Sequence, residues 1–281
     1  MQWMGRRESS NVDDRRGLTG GGMAIGGGVI GVIFILAKFL LGGGDLNDLQ
    51  QLVPQQQQEL TTDQKAAQDK EASFVKVVLA DTEDVWTKIF SDMGKTYTDP
   101  TLVLFSGSTT SACGNASAAT GPFYCPEDKD VYIDLSFAQQ LSDQFGATGQ
   151  FAMAYVVAHE VGHHVQDLLG LTKKMAALQQ QLSQTEYNKY SVRLELQADF
   201  YAGVWAHYDQ KMKNVINSED IKEALDAANA IGDDRLQKEY QGTVTPDSFT
   251  HGTSAERMYW FKKGYDTGDM SQGNTFADGA F

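Results

Sequence analysis

Two histidines separated by three residues, with a glutamate directly after the first, are the residues of this chain best suited to chemistry. His159, Glu160 and His163 lie in the stretch AHEVGHHVQ, which continues an apolar run over residues 151–158. The run and its spacing predict a helix over residues 149–169. In a helix, His159 and His163 are one turn apart on the same face, so both imidazoles can bind one divalent metal ion. Glu160 is then placed to accept a proton from a water at that metal.

The ligand types favour zinc, which binds imidazole nitrogen at about 2.0–2.1 Å and, in catalytic sites, uses three protein ligands and a water. H-E-x-x-H is the pattern of zinc-dependent hydrolases. A solvated helix face could carry this pattern by chance, but the apolar run argues for a buried helix, where unpartnered polar groups are costly. The same helical phase directs His164 away from the metal face. Gly162 lowers helix propensity, and we expect it to admit the close approach of a second backbone.

A catalytic zinc site needs a third protein ligand, and four downstream side chains could supply it: Glu195, Asp199, His207 and His251. The class with a third histidine six residues after the second is excluded, because Leu169 occupies that position. Glu195 is the better candidate, and Asp199, one turn later, could accept the second ring N–H of His159. An ordinary charged helix stripe would have polar neighbours, whereas the neighbours of these two carboxylates are mostly apolar.

Length and charge restrict the class of protein. The chain has 281 residues, enough for one sizeable domain with appendages, and a formal net charge of −14. So acidic a chain argues against a nucleic-acid partner, which would require a basic patch. The two cysteines, Cys113 and Cys125, are too few for a disulfide-dense scaffold or an all-cysteine zinc site. They form one disulfide or remain two thiols, depending on the compartment.

The first 70 residues predict a membrane anchor. Residues 1–22 are polar and glycine-rich and predict a disordered arm, and residues 42–70, rich in glycine, glutamine and aspartate, predict a polar tether. Residues 23–41 are apolar and would span about 28 Å as a helix, close to the roughly 30 Å hydrocarbon thickness. The alternatives are a cleaved signal peptide and a buried core helix. The lack of a clear cleavage site and the polar flanks favour one transmembrane helix.

Arginines set the predicted orientation of that helix. Four of them precede the span, and after it the first Lys or Arg is Lys65. The positive-inside rule then places the N-terminus in the cytoplasm and residues 42–281 outside it, which in a bacterium means a periplasmic or exterior domain on the inner membrane. That compartment favours a disulfide between Cys113 and Cys125. Residues 71–281 are the predicted metal-binding domain.

The remaining pattern predicts an α+β domain that is mainly helical, with a small sheet or hairpin. The sequence predicts helices over residues 71–93 (one helix or a pair), 149–169, 172–185, 191–205, 219–231 and 255–263, of which 172–185 is polar. Short β-rich runs predict a strand at 102–105 and a hairpin over 123–135, whose edge could pair with an extended peptide. Residues 106–121 are predicted to be a loop, Ser218 a helix cap, and the tail from Gly264 loose.

Four motifs in this order resemble the bacterial putative neutral zinc metallopeptidase family: GPFYCP at 121–126, HEVGHHVQ at 159–166, ELQAD at 195–199 and HGTS at 251–254. The layout is also similar, with an Arg/Gly-rich start, one membrane span, a Gln-rich tether and a domain of this size. The resemblance implies a zincin-like fold and a membrane-anchored, gluzincin-type peptidase that holds one zinc ion and uses Glu160 as general base. It implies no particular substrate.

The predicted function is therefore zinc-dependent hydrolysis of peptide bonds in a peptide or protein substrate. Glu160 would move the proton, and a further donor would stabilise the oxyanion. His251 is the leading candidate for that donor. A structural hydrogen bond is the alternative role for it and for the remaining candidates, which are Tyr155, Tyr201, Tyr240 and Arg257.

Two rival functions stay open. The first is a membrane-tethered zinc-binding scaffold, against which Glu160 argues, because a structural zinc site needs no base. The second is a zinc hydrolase of another bond, such as a cell-wall amide. The strand before the metal helix favours a peptide substrate over this second rival.

Overall fold

The computed structural model describes residues 1–16, 62–117 and 120–277. In this part of the chain, eight α-helices and six strands form a mainly helical α+β fold, which confirms the coarse fold class. The helices are α1 (Thr62–Asp92), α2 (Ser136–Asp143), α3 (Gln150–Leu168), α4 (Leu171–Gln179), α5 (Gln184–Lys213), α6 (Ser218–Ala230), α7 (Asp233–Gln241) and α8 (Ser254–Thr267). The strands are β1 (Val12–Asp14), β2 (Thr101–Phe105), β3 (Ser108–Ser111), β4 (Gly114–Ser117), β5 (Phe123–Cys125) and β6 (Asp130–Asp134).

Four strands form one sheet in the order β1-β2-β6-β5, with β1, β2 and β6 parallel and β5 antiparallel to β6. The pair β5–β6 is the hairpin predicted over residues 123–135, and β2 is the strand predicted at 102–105. The segment 106–121, predicted to be a loop, contains a second hairpin, β3–β4. Its small polar residues are exposed or half-buried, so no apolar alternation marks these strands in the sequence.

The predicted disulfide between Cys113 and Cys125 is confirmed. Cys113 lies in the turn between β3 and β4, and Cys125 is the last residue of β5 and is fully buried. The bond therefore holds the small hairpin against the edge strand of the larger sheet. Closing a loop of this size stabilises a fold by about 3 kcal/mol in the chain-entropy model.

Helix α3 is the centre of the fold. Every residue from Phe151 to Gly162 is buried, and α1, α5 and α6 pack around the helix. Phe151 stacks on Trp205 of α5, which is fully buried. The Phe151 amide donates to the Glu223 carboxylate of α6 at 2.9 Å, which satisfies one of the free N–H groups at the start of the helix. A buried helix fixed at its start gives its histidines a rigid platform.

Some helices begin or end at residues other than those predicted. Side-chain caps and helix–helix contacts, not apolar spacing, determine these residues. The Asn217 side chain accepts from two backbone amides and caps α6, so the cap is Asn217 and not Ser218. Helix α8 continues past Gly264, where a Cβ would lie 2.1 Å from Phe200 O of α5. The tail predicted to be loose from Gly264 is therefore helical as far as Thr267. The short helices α2 and α7 have no counterpart among the predictions.

Residues 1–16 are folded, so the predicted disordered arm over residues 1–22 is wrong for this part. Strand β1 pairs with β2, and Trp3 belongs to the main hydrophobic core. Arginines contribute to the polar composition of the segment, but most of them bind carboxylates of α1, as Arg6 does at Asp81 with 2.6 Å between Nη2 and Oδ1. Composition alone predicted disorder because these partners are distant in the sequence.

The predicted polar tether over residues 42–70 is wrong for residues 62–70, which begin helix α1. The folded unit therefore contains residues 62–70 and 1–16 in addition to the described part of the predicted domain, 71–281. The predicted transmembrane helix over residues 23–41 lies outside the described residues. Within the described ranges, none of the helices combines the length and the apolar character needed to cross a bilayer.

Candidate metal centre

The two helices that carry the predicted ligands, α3 and α5, cross at Gly162. A Cβ at Gly162 would lie 3.0 Å from Ala198 O and 3.2 Å from Ala198 Cα, so a larger residue would push the helices apart. The predicted approach of a second backbone at Gly162 is therefore confirmed. The crossing brings Glu195 and Asp199, on either side of Ala198, against the histidine face of α3.

The side chains of His159, His163 and Glu195 converge on one position. The Nε2 atoms of the two histidines are 3.2 Å apart, and the Glu195 carboxylate lies 3.2 Å from the first and 3.4 Å from the second. One ligand atom from each residue can be chosen so that all lie within 4.8 Å of one another, a grouping able to hold a metal ion. His207, another candidate ligand, instead contacts Tyr265 O of α8 through Nδ1 at 2.8 Å.

Asp199 is fully buried behind His159 and accepts hydrogen bonds from three side chains. The donors are Nδ1 of His159 at 2.8 Å, the Tyr155 hydroxyl at 2.5 Å, and Nε and Nη2 of Arg257 at 2.9 and 3.0 Å. Burial by itself would raise the pKa of Asp199, but the charges of Arg257 and His159 lower that pKa to about 2. The ionised carboxylate can therefore hold a proton on Nδ1 of His159, which leaves Nε2 to bind a metal.

Gln166 orients the second histidine and is a site residue that the sequence reasoning missed. Its Oε1 lies 2.9 Å from His163 Nδ1, and its Nε2 donates to Leu194 O of α5 at 2.7 Å. The amide therefore accepts the Nδ1 proton of His163, as Asp199 does for His159. The available sequence signal is its position three residues after His163, which puts both side chains on one helix face.

Replacing Gln166 by alanine is expected to weaken zinc binding by about 10–100-fold, the usual cost of removing an outer partner of a metal-bound histidine. Competition for zinc with a chromophoric chelator measures this loss. Gln179→Ala, at an exposed position of α4, is the matched control and should bind zinc as the parent does. An unchanged zinc affinity in Gln166→Ala would show that His163 needs no such acceptor.

Glu160 differs from the other carboxylates of the site because it has no hydrogen-bond or ion-pair partner in the described part of the chain. It is 8% exposed and lines the cleft above the histidines. Glu195 and Asp199, by contrast, each face at least one histidine ring. A carboxylate meets the requirement for a general base when it lies beside the metal position and is free to accept a proton.

His251 reaches the same cleft from the loop between α7 and α8. Its side chain is half exposed, and its Nδ1 lies 3.2 Å from Asp233 Oδ1. The other oxygen of Asp233 accepts from the backbone amides of Thr250, His251 and Gly252, so Asp233 fixes both the ring and its loop. Burial by itself would lower the pKa of His251, but the hydrogen bond to Asp233 and the charge of Glu195 raise it.

Asp233 is a second site residue that the sequence reasoning missed. Asp233 is largely buried, and burial by itself would raise its pKa, but the hydrogen bond and charge of His251 lower it. No local pattern links the two residues, because they are joined only where helix α7 and the following loop fold back together. With Nδ1 of His251 donating to Asp233, Nε2 can donate as well only when the ring is protonated, the form that the raised pKa of His251 favours.

The other predicted oxyanion donors have structural partners. The Tyr155 hydroxyl donates to Asp199 and accepts from Arg257 Nη2 at 3.1 Å, so both residues support Asp199. Although both also line the cleft, their polar atoms are already engaged. Tyr201 and Tyr240 are not among the described residues that line the cleft. His251 is therefore the member of the predicted group that has a ring nitrogen, Nε2, without a hydrogen-bond partner among the described residues.

A cleft of about 510 Å³ lies over the converging side chains. Its polar wall includes His159, Glu160, His163, Glu195 and His251. Apolar side chains form much of the remaining wall: Pro122, Phe123, Phe137, Phe145, Ile231 and Leu236. The site can therefore hold a ligand that presents both a polar group to the metal position and apolar groups to the wall.

His164 connects the metal helix to the edge strand that borders the cleft. Its Nε2 donates to Thr98 O at 2.6 Å, and its Nδ1 accepts from the Tyr124 hydroxyl of β5 at 3.1 Å. The ring is fully buried and packs against Tyr97 and Tyr124. Both ring nitrogens are therefore engaged away from the three ligands, as the helical phase predicts.

The donor set suits zinc. Two imidazole nitrogens and one carboxylate are a known three-ligand set of catalytic zinc sites, which keep a further position open. Each histidine already has an acceptor for Nδ1, which is the outer support that such sites require. Magnesium or calcium would favour a set made only of oxygen atoms.

Comparison of the sequence with known proteins identifies a matching family and several similar proteins. The sequence model of the family described as "Putative neutral zinc metallopeptidase" matches residues 1–276. The Escherichia coli K12 protein named "Uncharacterized protein YpfJ" is 51% identical over 284 aligned residues, which cover 98% of this chain and 99% of that protein. The Mycobacterium tuberculosis H37Rv protein named "Uncharacterized protein Rv2575" is 47% identical over 191 residues, or 64% of each chain. No solved structure gives a significant match.

Proposed function

Because the chain belongs to the putative neutral zinc metallopeptidase family, we propose that it is a zinc metalloendopeptidase of the gluzincin type with a zincin-like domain. One zinc ion is held by His159, His163 and Glu195. The observation that carries this proposal is the carboxylate of Glu160, which lies beside the three converging ligands and has no hydrogen-bond partner among the described residues. A site that binds zinc only for structure needs no free base at this position.

The proposed reaction assigns a separate task to each polar side chain. When bound, zinc supplies a Lewis acid that polarises the scissile carbonyl and acidifies a water. Glu160 accepts a proton from the attacking water at a carboxylate oxygen and donates it to the departing nitrogen. His251, held by Asp233 and protonated on both ring nitrogens, donates from Nε2 to the oxygen that gains negative charge. Asp199 keeps His159 oriented throughout.

The edge strand β5 is the proposed platform for an extended peptide. It is the last strand in the order β1-β2-β6-β5, and Phe123 and Tyr124 of this strand line the cleft. Its outer N–H and C=O groups can pair with the main chain of a substrate, which holds any sequence in the extended form. The disulfide at Cys125 and the His164–Tyr124 hydrogen bond keep the strand beside the metal helix.

The apolar wall of the cleft predicts which peptide bonds are cut. Phe123, Phe137, Phe145 and Leu236 line a pocket that a substrate side chain can enter. Burying a large apolar side chain there would stabilise substrate binding by roughly 1.5–3 kcal/mol. We expect cleavage sites in an unfolded protein to be enriched in large apolar residues next to the cut bond. Mass spectrometry of the digest identifies these sites. Cuts flanked mainly by charged residues would contradict the proposed role of the wall.

The site is proposed to act outside the cytoplasm, in association with the membrane. The disulfide Cys113–Cys125 supports an oxidising compartment such as the bacterial periplasm. The apolar composition of residues 23–41 supports contact with the inner membrane. A peptide or protein outside the cytoplasm is then the proposed substrate.

One experiment separates this function from its rivals. The purified full chain is stripped of metal, loaded with zinc and incubated with an unfolded protein, with the stripped chain as control. Peptide fragments that form only with zinc are expected, and they disappear again when a chelator is added. Zinc binding without cleavage of any protein would favour a zinc-binding scaffold or a hydrolase of another bond, such as a cell-wall amide.

A further inference from the structure

We propose that residues 1–16 and the metal-site domain lie on the same side of the membrane as one folded unit. The single crossing that the sequence predicts would put these two parts on opposite sides of a bilayer, so it is incompatible with this arrangement. The arrangement is independent of the reaction carried out at the metal centre.

Main-chain pairing and core packing join residues 1–16 to the domain. Val12, Asp13 and Asp14 pair in parallel with residues 102–104, so β1 adds a strand to the sheet. Trp3 is 9% exposed, packs edge-to-face on Phe74 of α1, and donates from Nε1 to Gln150 at the start of α3. The segment therefore contacts both the sheet and the metal helix.

The carboxylate of Glu83 on α1 is built to receive this segment. Glu83 is 7% exposed. In the described part of the chain, its hydrogen-bond partners are Arg7 at 2.8 Å, Asn11 at 2.9 Å and the hydroxyl of Ser9. All three come from residues 1–16. Without them, a largely buried carboxylate would lack the partners that offset its desolvation.

The arginines of the segment have partners that explain their presence. Arg6 binds Asp81, and Arg7 binds both Glu83 and Asp84. The positive-inside rule treats such arginines as a signal for the cytoplasmic side. Here Arg6 and Arg7 fix the segment to α1, so the arginine count by itself does not orient the chain.

The two ends of the intervening chain meet at the same place on the domain. Nη1 of Arg16 lies 3.1 Å from Oδ1 of Asp69, near the start of α1. Residues 16 and 62 therefore belong to one body. A bilayer with a hydrocarbon core of about 30 Å cannot lie between two parts that form hydrogen bonds with each other.

Labelling of the full chain in its membrane tests this topology. Ser10→Cys adds a thiol in the exposed part of the docked segment, and Lys95→Cys adds one on the exposed surface of the domain. Each variant is treated with a membrane-impermeant maleimide before and after permeabilisation. The parent is the control, because both of its cysteines form the disulfide. We expect both thiols to label from the same side; labelling from opposite sides would overturn the proposal.

Hydrogen exchange tests the docking itself. In the membrane-bound parent, the amide of Arg15, which donates to Leu104 O at 2.7 Å, is expected to be protected. Arg7→Glu places a negative charge against Glu83 and Asp84 and should remove this protection while α3 stays protected. Lys95→Glu is the matched control, since Lys95 is exposed. Exchange of residues 9–16 at the rate of a free peptide in the parent would overturn the proposal.

Discussion

Glu160→Gln is expected to lower the rate of peptide cleavage by about 10²–10⁴-fold, the range that general acid–base catalysis contributes. The amide cannot accept a proton from the attacking water, although it has almost the same size and shape as the carboxylate. Glu160 has no partner among the described residues, so the substitution breaks no existing hydrogen bond. The variant should therefore keep its fold and its zinc ion. Steady-state cleavage of a peptide found in the parent's digest measures the effect.

Two control measurements distinguish a loss of catalysis from a loss of zinc or a general effect of substitution. Zinc content must match that of the parent, because Glu160 is not one of the three converging ligands. Glu239→Gln, on the exposed surface of α7, is the matched control and should cleave at the parent rate. A Glu160→Gln variant that still cleaved at the parent rate would exclude Glu160 as the general base.

Glu195→Ala is expected to abolish zinc binding at the site and all peptidase activity with it. Removing Glu195 takes away one of three protein ligands and leaves two histidines without the negative charge that balances the metal. The loss of affinity should exceed the roughly 10–100-fold that is usual for an outer partner. In the parent, saturating zinc should raise Tm, because a ligand that binds only the folded state stabilises it. In Glu195→Ala, the same zinc concentration should leave Tm unchanged.

Two further variants are controls for this prediction, one at the same position and one at a remote, exposed position. Glu195→His supplies a different zinc ligand at the same position and should recover part of the zinc affinity. Glu239→Ala removes an exposed glutamate and should bind zinc as the parent does. If Glu195→Ala kept the zinc affinity of the parent, the third ligand would be another residue.

The parts of the site that the sequence predicts depend on local geometry. His159 and His163 lie on one face because a helix fixes the direction of residues four apart, and the same phase separates His164 from them. Glu195 and Asp199 could be proposed because carboxylates are unusual among apolar neighbours on a helix. The structure brings these residues together, since the helices cross at Gly162.

The parts that the sequence does not predict depend on contacts between distant segments. Asp233 holds His251 across a helix and a loop, and nothing in its neighbouring residues distinguishes it from a surface aspartate. Residues 1–16 have the composition of a disordered arm, and their order comes from the edge of β2 and from carboxylates such as Glu83. Amino-acid composition indicates the entropic cost of ordering a segment by itself. It does not reveal the partners elsewhere in the chain that offset this cost.

The most direct test of the metal centre is the position of the zinc ion in crystals of the purified, zinc-loaded chain. Anomalous diffraction measured on both sides of the zinc absorption edge locates the ion without reference to any assumed ligand. The proposed ligand set predicts one peak, at about 2.0–2.2 Å from Nε2 of His159, Nε2 of His163 and a carboxylate oxygen of Glu195. A zinc peak at other residues, or no peak at this site in zinc-loaded crystals, would contradict it.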